Sequence, residues 1–260
     1  MDTERIDAYL RRIGAERPAA PTSRALHDLH LAHLRSVPFE NLSIHLGQDI
    51  ELTDKALVSK VVDARRGGFC YELNGAFGAL LKALGFDVVL LQARVYDDAG
   101  EPGIPFDHLA LRVRTEDGGD WLADVGFGAH SELPLAYADR GEQADPAGTF
   151  RIAETPDGDL DVLKDGKRQY LADPRPRALS DFRVGAWYHR TSPDSHFTRS
   201  LVCSRLTASG RVTLSGRTLT TTAGGERDTL DLTTEAEVLA AYERHFGIAL
   251  DREPHVREKE

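Results

Sequence analysis

Residues 65–74 read Arg65-Arg66-Gly67-Gly68-Phe69-Cys70-Tyr71-Glu72-Leu73-Asn74, so that a cysteine follows closely after a pair of glycines. The glycines are typical of the end of one helix, and the apolar spacing of residues 73–84 predicts a second helix that begins near Cys70. Unpaired backbone N–H groups at a helix N-terminus favour a thiolate, and the two arginines add positive potential. Cys70 is therefore a candidate nucleophile, and the ordinary alternative is a small buried apolar residue. Glu72 and Asn74 are expected to order the first turn of this helix.

The residues before this segment predict three further helices. Apolar residues three and four apart between Ile6 and Ile13 lie on one helix face, and Gly14 is typical of the end of a helix. Thr22 or Ser23 is expected to cap a second helix that runs toward residue 38. A third helix is expected from residue 53 to the glycine pair.

From residue 86 onward the hydrophobic period changes from 3.6 to 2 residues, which predicts strands. Strands are expected over residues 87–97, 108–114 and 120–128, and Asp-Gly turn signals within residues 154–168 predict hairpins. Further strands are expected over residues 200–206, 210–216 and 218–222. A capping box of Thr234 and Glu237 marks the start of a final helix. The predicted elements come in the order helices, then antiparallel strands, then a mixture of both. This order predicts an α+β fold rather than alternating βαβ units.

The composition is that of a globular protein and excludes several functions. The 260 residues, 41% of them hydrophobic and 28% charged, fit one large domain or two to three subdomains that share a core. Lys and Arg number 32 against 42 Asp and Glu, so that the net charge is -10, and the absence of a basic run argues against nucleic-acid binding. No stretch approaches the roughly 18 apolar residues that span a bilayer, and the N-terminus lacks the apolar core of a signal peptide. With only two cysteines, we expect a cytoplasmic protein.

A cysteine nucleophile requires a base, and the base requires a partner that orients it. His108 lies in the predicted strand 108–114, on the face opposite Leu109 and Leu111. Asp124 lies at the end of the next predicted strand, so antiparallel pairing would bring its carboxylate beside the imidazole. Each residue alone has an ordinary structural role, the histidine in a hydrogen bond and the aspartate in a turn. Together with Cys70 they form the pattern of a Cys-His-Asp triad.

Several other polar residues have less specific patterns. His27, His30 and His33 are three residues apart on a predicted helix, where they spread by roughly 120° and do not converge on one metal ion. We therefore expect no metal site there. Cys203 lies in an apolar predicted strand and is expected to be an inert core thiol. Arg65 and Arg66 are expected either to pair with Glu40 or to cap a helix end.

Five sequence blocks together resemble one known family, the arylamine N-acetyltransferases. Three of them carry the candidate triad: RGGFCYELN at 66–74, FDHLALRV at 106–113 and LADVGFG at 122–128. The block VPFENL at 37–42 resembles the PFENL element of that family, and SPDSHF at 192–197 followed by CSR at 203–205 resembles its SPxSxF…CSR element. The blocks run in the order of the family, and the joint match is far more specific than any block alone.

The resemblance implies roles for named residues. Cys70 would accept the acetyl group, His108 would be its base and Asp124 the third member of the triad. Gly126, Phe127 and Gly128 would approach the pyrophosphate of coenzyme A. The acceptor pocket would be lined by four residues: Phe39, Val95, Phe127 and Phe197.

The resemblance also implies a layout and a reaction. The expected fold is a helical bundle over residues 1–85 with the cysteine, an antiparallel β-barrel-like domain over 86–190 with His108 and Asp124, and an α/β lid over 191–260. The arrangement of the three triad residues would be like that of cysteine proteases. The expected reaction is ping-pong transfer from acetyl-CoA to a small aromatic amine, hydrazine or hydroxylamine, without a metal.

Three alternative functions share some of these features. A related amide synthase would close a macrolactam from a carrier-bound acyl thioester with the same three residues. A thiol hydrolase or transglutaminase-like enzyme would use the same triad with water or lysine as acceptor. A binding module would retain the triad only as a vestige, which thiol reactivity at Cys70 would exclude.

Overall fold

The structure is a computed structural model that describes residues 1–256. Eight α-helices lie within these residues: α1 (Thr3–Ile13), α2 (Ser23–Ser36), α3 (Leu42–His45), α4 (Asp54–Val62), α5 (Cys70–Ala83), α6 (Arg183–Thr191), α7 (His196–Arg199) and α8 (Glu235–Ala241). A 3-10 turn over Leu179–Phe182 leads into α6, and a π-helical turn over Tyr242–Phe246 extends α8. No helix in residues 1–256 has the length and apolar character needed to cross a membrane.

Thirteen strands lie within the same residues: β1 (Phe39–Glu40), β2 (Asp87–Val95), β3 (His108–Arg114), β4 (Asp120–Ala123), β5 (Leu135–Ala136), β6 (Glu142–Asp145), β7 (Gly148–Glu154), β8 (Leu160–Lys164), β9 (Lys167–Ala172), β10 (Val202–Leu206), β11 (Gly210–Ser215), β12 (Thr218–Ala223) and β13 (Glu226–Asp231). They form two antiparallel sheets. The α+β fold predicted from the sequence is confirmed, with a nearly closed barrel-like sheet at its centre.

The N-terminal helices begin and end at the residues that the sequence marks. The Asp2 side chain accepts a hydrogen bond from the Arg5 amide at the start of α1, and Gly14 ends the helix in the left-handed conformation, with φ of 67°. Thr22 caps α2 through the Ala25 amide. Each cap satisfies a backbone group that the helix leaves unpaired. The residues next to each helix end therefore determine where the helix begins and ends.

Helix α5 lies at the centre of the largest hydrophobic cluster. Leu73, Ala76, Phe77 and Leu80 are fully buried between α4 and the strands β2 and β3. A Cβ at Gly78 would lie 3.4 Å from the Leu111 side chain on β3, an ordinary contact distance that shows how closely the helix packs on the sheet. This packing holds Cys70, the first residue of α5, against the sheet that carries His108 and Asp124.

The larger sheet has eight strands in the order β5-β4-β3-β2-β9-β8-β7-β6. Strands β3 and β4 pair antiparallel, with Leu111 opposite Ala123. The hairpins predicted within residues 154–168 correspond to β7-β8 and β8-β9.

The smaller sheet has five strands in the order β1-β10-β11-β12-β13. Its first strand comes from the N-terminal third of the chain: Phe39 lies opposite Ser204 and Glu40 opposite Cys203. The sequence blocks 37–42 and 203–205 are therefore neighbours across one strand pair, a contact that local patterns do not reveal.

Some elements differ from the sequence-based expectation. All six residues of β13 are exposed, so the strand lacks the apolar alternation that predicts one. Helix α6 was not predicted, and neither was β1, whose two residues are too few for a periodic pattern. The division of the chain after residues 85 and 190 stays a prediction, and residues 257–260 of the last predicted unit lie outside the described residues.

We predict that Phe77→Ala lowers the free energy of unfolding by about 3–5 kcal/mol, because the ring is fully buried and its removal leaves a cavity. Urea denaturation measures this loss. The exposed Lys82 on the same helix provides the control, and Lys82→Ala is expected to change stability by less than about 0.5 kcal/mol. Equal effects of both substitutions would contradict the central position of α5.

Candidate active site

Cys70 is the first residue of α5, as predicted from the glycine pair that precedes it. The Glu72 side chain accepts a hydrogen bond from the Phe69 amide through Oε2, at 3.2 Å, and so satisfies one backbone donor of the helix start. Cys70 is buried with 3% of its surface exposed, and it borders a cavity described below.

Buried ion pairs hold the turn before Cys70. Arg66 donates to both oxygens of Glu40, at 2.9 and 3.1 Å, and Lys60 lies 2.5 Å from Oε1 of Glu72. Burial acts to raise the pKa of Glu40, but the charges of Arg66 and Lys60 outweigh it and lower that pKa. Of the two roles open for the arginines, Arg66 thus pairs with Glu40.

Gly67 makes a close contact that no other residue permits. A Cβ atom there would lie 1.8 Å from the carbonyl oxygen of Pro38. The next residue, Gly68, accepts a hydrogen bond from the Glu40 amide at 2.9 Å. The backbones of segments 37–42 and 65–74 therefore pack directly against each other. This contact positions Phe39 near Cys70, and both residues line the same cavity.

The structure brings His108 and Asp124 together. His108 begins β3, Asp124 directly follows β4, and His108 Nε2 lies 2.7 Å from Asp124 Oδ2. Both side chains are almost completely buried. Since Nε2 is engaged by the carboxylate, Nδ1 is the ring atom left for the Cys70 thiol, with which His108 also interacts.

The His108–Asp124 contact shifts the pKa values of both side chains. Burial acts to lower the pKa of His108, but the charge of Asp124, its hydrogen bond and the interaction with Cys70 raise that pKa well above its usual value. Burial acts to raise the pKa of Asp124, and the charge and hydrogen bond of His108 lower it instead. An imidazolium held next to Cys70 stabilises a thiolate there.

Asn74 connects helix α5, which carries Cys70, to Asp124. Its Nδ2 donates to Asp124 Oδ1 at 2.8 Å and to the Leu109 carbonyl at 2.6 Å, while its Oδ1 accepts from the Val125 amide at 2.9 Å. From the sequence, Asn74 is expected only to order the first turn of the helix. One signal was available: Asn74 follows Cys70 by one helical turn, so both lie on the same face of α5.

His30 supports Asp124 from the other side. Its Nε2 accepts a hydrogen bond from the Asp124 amide at 3.2 Å, so its Nδ1 carries the proton donated to the Glu132 carbonyl at 3.0 Å. Burial lowers the pKa of His30 to about 4, which keeps the ring neutral. His33 instead contacts the Tyr9 hydroxyl, and His27 packs edge-on against Trp121. The three histidines thus have separate structural partners, and the sequence carries no signal for the role of His30.

A cavity of about 650 Å³ opens onto Cys70 and His108. All residues predicted for cofactor and acceptor binding line it: Phe39, Val95, Gly126, Phe127, Gly128 and Phe197. The aromatic rings touch one another and the candidate base: Phe39 and Phe197 have centroids 6.0 Å apart, and Phe127 meets His108 edge-on at 5.3 Å. The cavity is therefore a largely aromatic pocket beside the thiol.

The part of the cavity lining that comes from the smaller sheet is largely polar. Strands β10 and β11 contribute Ser204, Arg211, Thr213 and Ser215. Arg211 Nη1 donates to Ser204 Oγ at 3.2 Å. Among residues 1–256, Arg211 is the one Lys or Arg that lines this cavity.

The glycine loop after β4 lies directly against Cys70. A Cβ at Gly126 would come within 2.8 Å of Cys70 Cα, so this residue has to be glycine for the loop to approach. The Gly126 amide donates to Asp124 Oδ1 at 2.9 Å. The amides of Phe127 and Gly128 form no hydrogen bond with another group in the described part of the chain.

Cys203 is fully buried in β10 opposite Glu40. Burial raises the pKa of its thiol well above the usual value. A protonated thiol inside the core is a poor nucleophile, which agrees with the predicted inert role of Cys203.

We predict that Asn74→Ala slows alkylation of Cys70 by iodoacetamide at pH 7 by roughly 10- to 100-fold, because Asp124 loses a hydrogen bond to a charged group. Peptide mass spectrometry locates and quantifies the alkylated cysteine. Lys82→Ala, on the exposed face of the same helix, is the control and should react like wild type. An unchanged rate in Asn74→Ala would show that Asn74 does not orient Asp124.

Comparison with known proteins shows relatives over nearly the whole chain. A family model described as N-acetyltransferase matches residues 22–255. The arylamine N-acetyltransferase of Mycolicibacterium smegmatis is 37% identical over 258 residues, which cover 94% of this chain and 92% of that protein.

Solved structures give the same result. The Mycobacterium marinum arylamine N-acetyltransferase in complex with CoA superposes with a TM-score of 0.84 at 33% identity, over 94% of this chain and 92% of that one. An arylamine N-acetyltransferase from Bacillus cereus, described as having a Cys-His-Glu catalytic triad, gives a TM-score of 0.87 at 25% identity, over 96% of this chain and 100% of that one. Since the family model and the M. smegmatis relative both match most of its length, the chain belongs to the arylamine N-acetyltransferase family.

Proposed function

We propose that this protein transfers the acetyl group of acetyl-CoA to a small arylamine, arylhydrazine or arylhydroxylamine through an acetyl-Cys70 intermediate. The observation that carries the proposal is the buried His108–Asp124 pair, with 2.7 Å between Nε2 and Oδ2, beside a cysteine that opens onto an aromatic cavity. Membership of the arylamine N-acetyltransferase family supports the same reaction.

In the first half-reaction, the thiolate of Cys70 attacks the carbonyl carbon of acetyl-CoA. A bond forms between Sγ and the carbonyl carbon, and the bond from that carbon to the coenzyme A sulfur breaks. His108, protonated beside Asp124, gives its proton to the departing sulfur. Acetyl-Cys70, free coenzyme A and a neutral His108 result.

In the second half-reaction, the nitrogen of the acceptor attacks acetyl-Cys70. Neutral His108 takes the proton that the nitrogen loses, the bond between the acetyl carbon and Sγ breaks, and the thiolate–imidazolium pair is restored. Asp124 stabilises the imidazolium and holds the ring with Nδ1 toward the sulfur.

Two groups are proposed for the phosphates of coenzyme A. The amides of Phe127 and Gly128 are unpaired within the described residues and lie in a loop that contacts Cys70, so they are available to donate to an anion. Arg211, which also lines the cavity, supplies positive charge. Local donors of this kind are needed because the chain has a net charge of -10, which does not attract an anionic donor. The solved M. marinum complex with CoA supports coenzyme A as the carrier of the acetyl group.

The acceptor is proposed to lie among Phe39, Val95, Phe127 and Phe197. Aromatic rings favour offset-stacked or edge-to-face contacts with another ring, and the cavity wall presents such rings beside the thiol. A planar arylamine satisfies this requirement better than a flexible aliphatic amine.

We predict that mixing the protein with acetyl-CoA in the absence of an amine adds one acetyl group, which intact-protein mass spectrometry detects. Cys70→Ala should gain none, because its nucleophile is missing. Cys203→Ala should still gain one, since that thiol is buried and inert. Acetylation of Cys70→Ala at the wild-type rate would contradict the mechanism. No adduct on wild type, with Cys70 still alkylated by iodoacetamide, would favour a carrier-bound donor and the amide synthase alternative.

We predict that Asp124→Asn lowers the acetyl-transfer rate by roughly 10³- to 10⁴-fold, as loss of the orienting carboxylate does in other triads. The reason is that Asp124 raises the pKa of His108; without it the imidazolium is lost at a lower pH and no longer stabilises the thiolate. The alkylation rate of Cys70 should therefore fall in the pH range where the imidazole of His108 stays protonated in wild type but not in the variant. A pH profile identical to that of wild type would exclude this role of Asp124.

A further inference from the structure

A second hydrogen-bonded aspartate–histidine pair lines the same cavity. His189 on α6 lies with Nε2 2.8 Å from Oδ1 of Asp107, the residue just before β3. His189 Nδ1 is 3.1 Å from the Ser195 hydroxyl. With Nε2–H donating to the carboxylate, Nδ1 accepts the serine proton, so the three groups form one connected chain. The reaction proposed above uses none of them.

The backbone of Asp107 lies beside Cys70. Its carbonyl oxygen accepts a hydrogen bond from the Tyr71 hydroxyl at 2.9 Å and lies 4.0 Å from Cys70 Sγ. Its Oδ2 accepts from the amide of Val95, which lines the cavity, at 3.0 Å. A carboxylate has about four lone-pair positions, and His189 and Val95 use two of them. Asp107 therefore retains acceptor positions, and 13% of its side chain is exposed at a residue that lines the cavity.

His189 also supports the aromatic wall. Its ring meets Phe197 edge-on, with centroids 5.2 Å apart, and Phe197 in turn packs against Phe39 and Phe69. The pair thus joins the segment that carries Phe197 to the start of β3. Any group that stacks on Phe197 lies near a polar edge made by Asp107 and His189.

This edge carries the carboxylate of Asp107, whereas the lining from the smaller sheet carries the guanidinium of Arg211. Arg211 lies on β11 and is proposed above to meet the phosphates of the donor. Phe39, Val95, Phe127 and Phe197 line the same cavity, together with His196 and Ser200. A carboxylate in apolar surroundings attracts hydrogen-bond donors and repels anions more strongly than it does in water.

We propose that Asp107 and His189 form a polar acceptor subsite that selects arylamines carrying a second hydrogen-bond donor on the ring, such as aminophenols, and disfavours aminobenzoates. The inference rests on the proposed acetyl transfer and specifies its acceptor. The second donor of the acceptor binds the free lone pairs of Asp107, and His189 holds that carboxylate in place. A carboxylate on the acceptor ring is repelled by Asp107.

The test compares three acceptors that differ at one ring position: 4-aminophenol, 4-methylaniline and 4-aminobenzoate. We expect wild type to give the highest kcat/KM with 4-aminophenol and the lowest with 4-aminobenzoate. In Asp107→Asn, the preference for 4-aminophenol over 4-methylaniline should fall by at least roughly tenfold, because a bond to a charged acceptor is lost. The relative rate with 4-aminobenzoate should rise in the same variant. His189→Gln should shift both preferences in the same direction.

Two measurements distinguish a role of this subsite in acceptor selection from a purely structural role, and distinguish failure of the subsite from failure of the proposed function. Acetylation of Cys70 without an amine should proceed in Asp107→Asn and His189→Gln, since the subsite acts in the second half-reaction. Asp98→Asn, which removes an equal charge at an exposed position away from the cavity, should behave like wild type.

Unchanged acceptor preferences in variants that acetylate Cys70 normally would overturn the subsite and leave the proposed function intact. Loss of Cys70 acetylation in both variants would also overturn it, because the pair would then act on the nucleophile. Absence of acetyl-Cys70 in wild type would overturn the proposed function and the subsite with it.

Discussion

The buried carboxylate of Asp124 constrains the whole site. A charge removed from water needs a partner for each of its oxygens, and the partners come from three separate parts of the chain. His108 binds Oδ2 from β3, while Asn74 and the Gly126 amide bind Oδ1 from α5 and from the glycine loop. Satisfying one carboxylate therefore fixes the position of the helix that carries Cys70 relative to the sheet that carries His108.

A second set of buried charges fixes the other side of the cavity. Glu40 and Arg66 hold the segment around Phe39 against the turn before Cys70, and Gly67 allows the two backbones to touch. Because β1 also pairs with β10, the smaller sheet is tied to the same turn. Phe39 and Ser204, which both line the cavity, are thereby positioned by one strand pair, which links the fold directly to the volume available for a donor and an acceptor.

Much of the fold was predictable because its elements carry local signals. Caps at Thr22 and Thr234, the glycine stop at Gly14 and the alternation within β3 are interactions between residues close in sequence. Strand β13 was not predictable, since it is fully exposed and has no apolar face. The same holds for β1: its two residues form a strand only because β10 lies beside them.

The sequence by itself determined the candidate residues: a cysteine at a helix start, a histidine and an aspartate at adjacent strand ends, and blocks that resemble those of a known family. These signals are local because capping, strand alternation and motif spacing act over a few residues. Only the tertiary structure decided that Asn74 and His30 hold Asp124, and that Asp107 faces His189 across 82 positions of chain. Such contacts depend on how helices and sheets pack, and a buried polar group takes whichever partner packing places within reach.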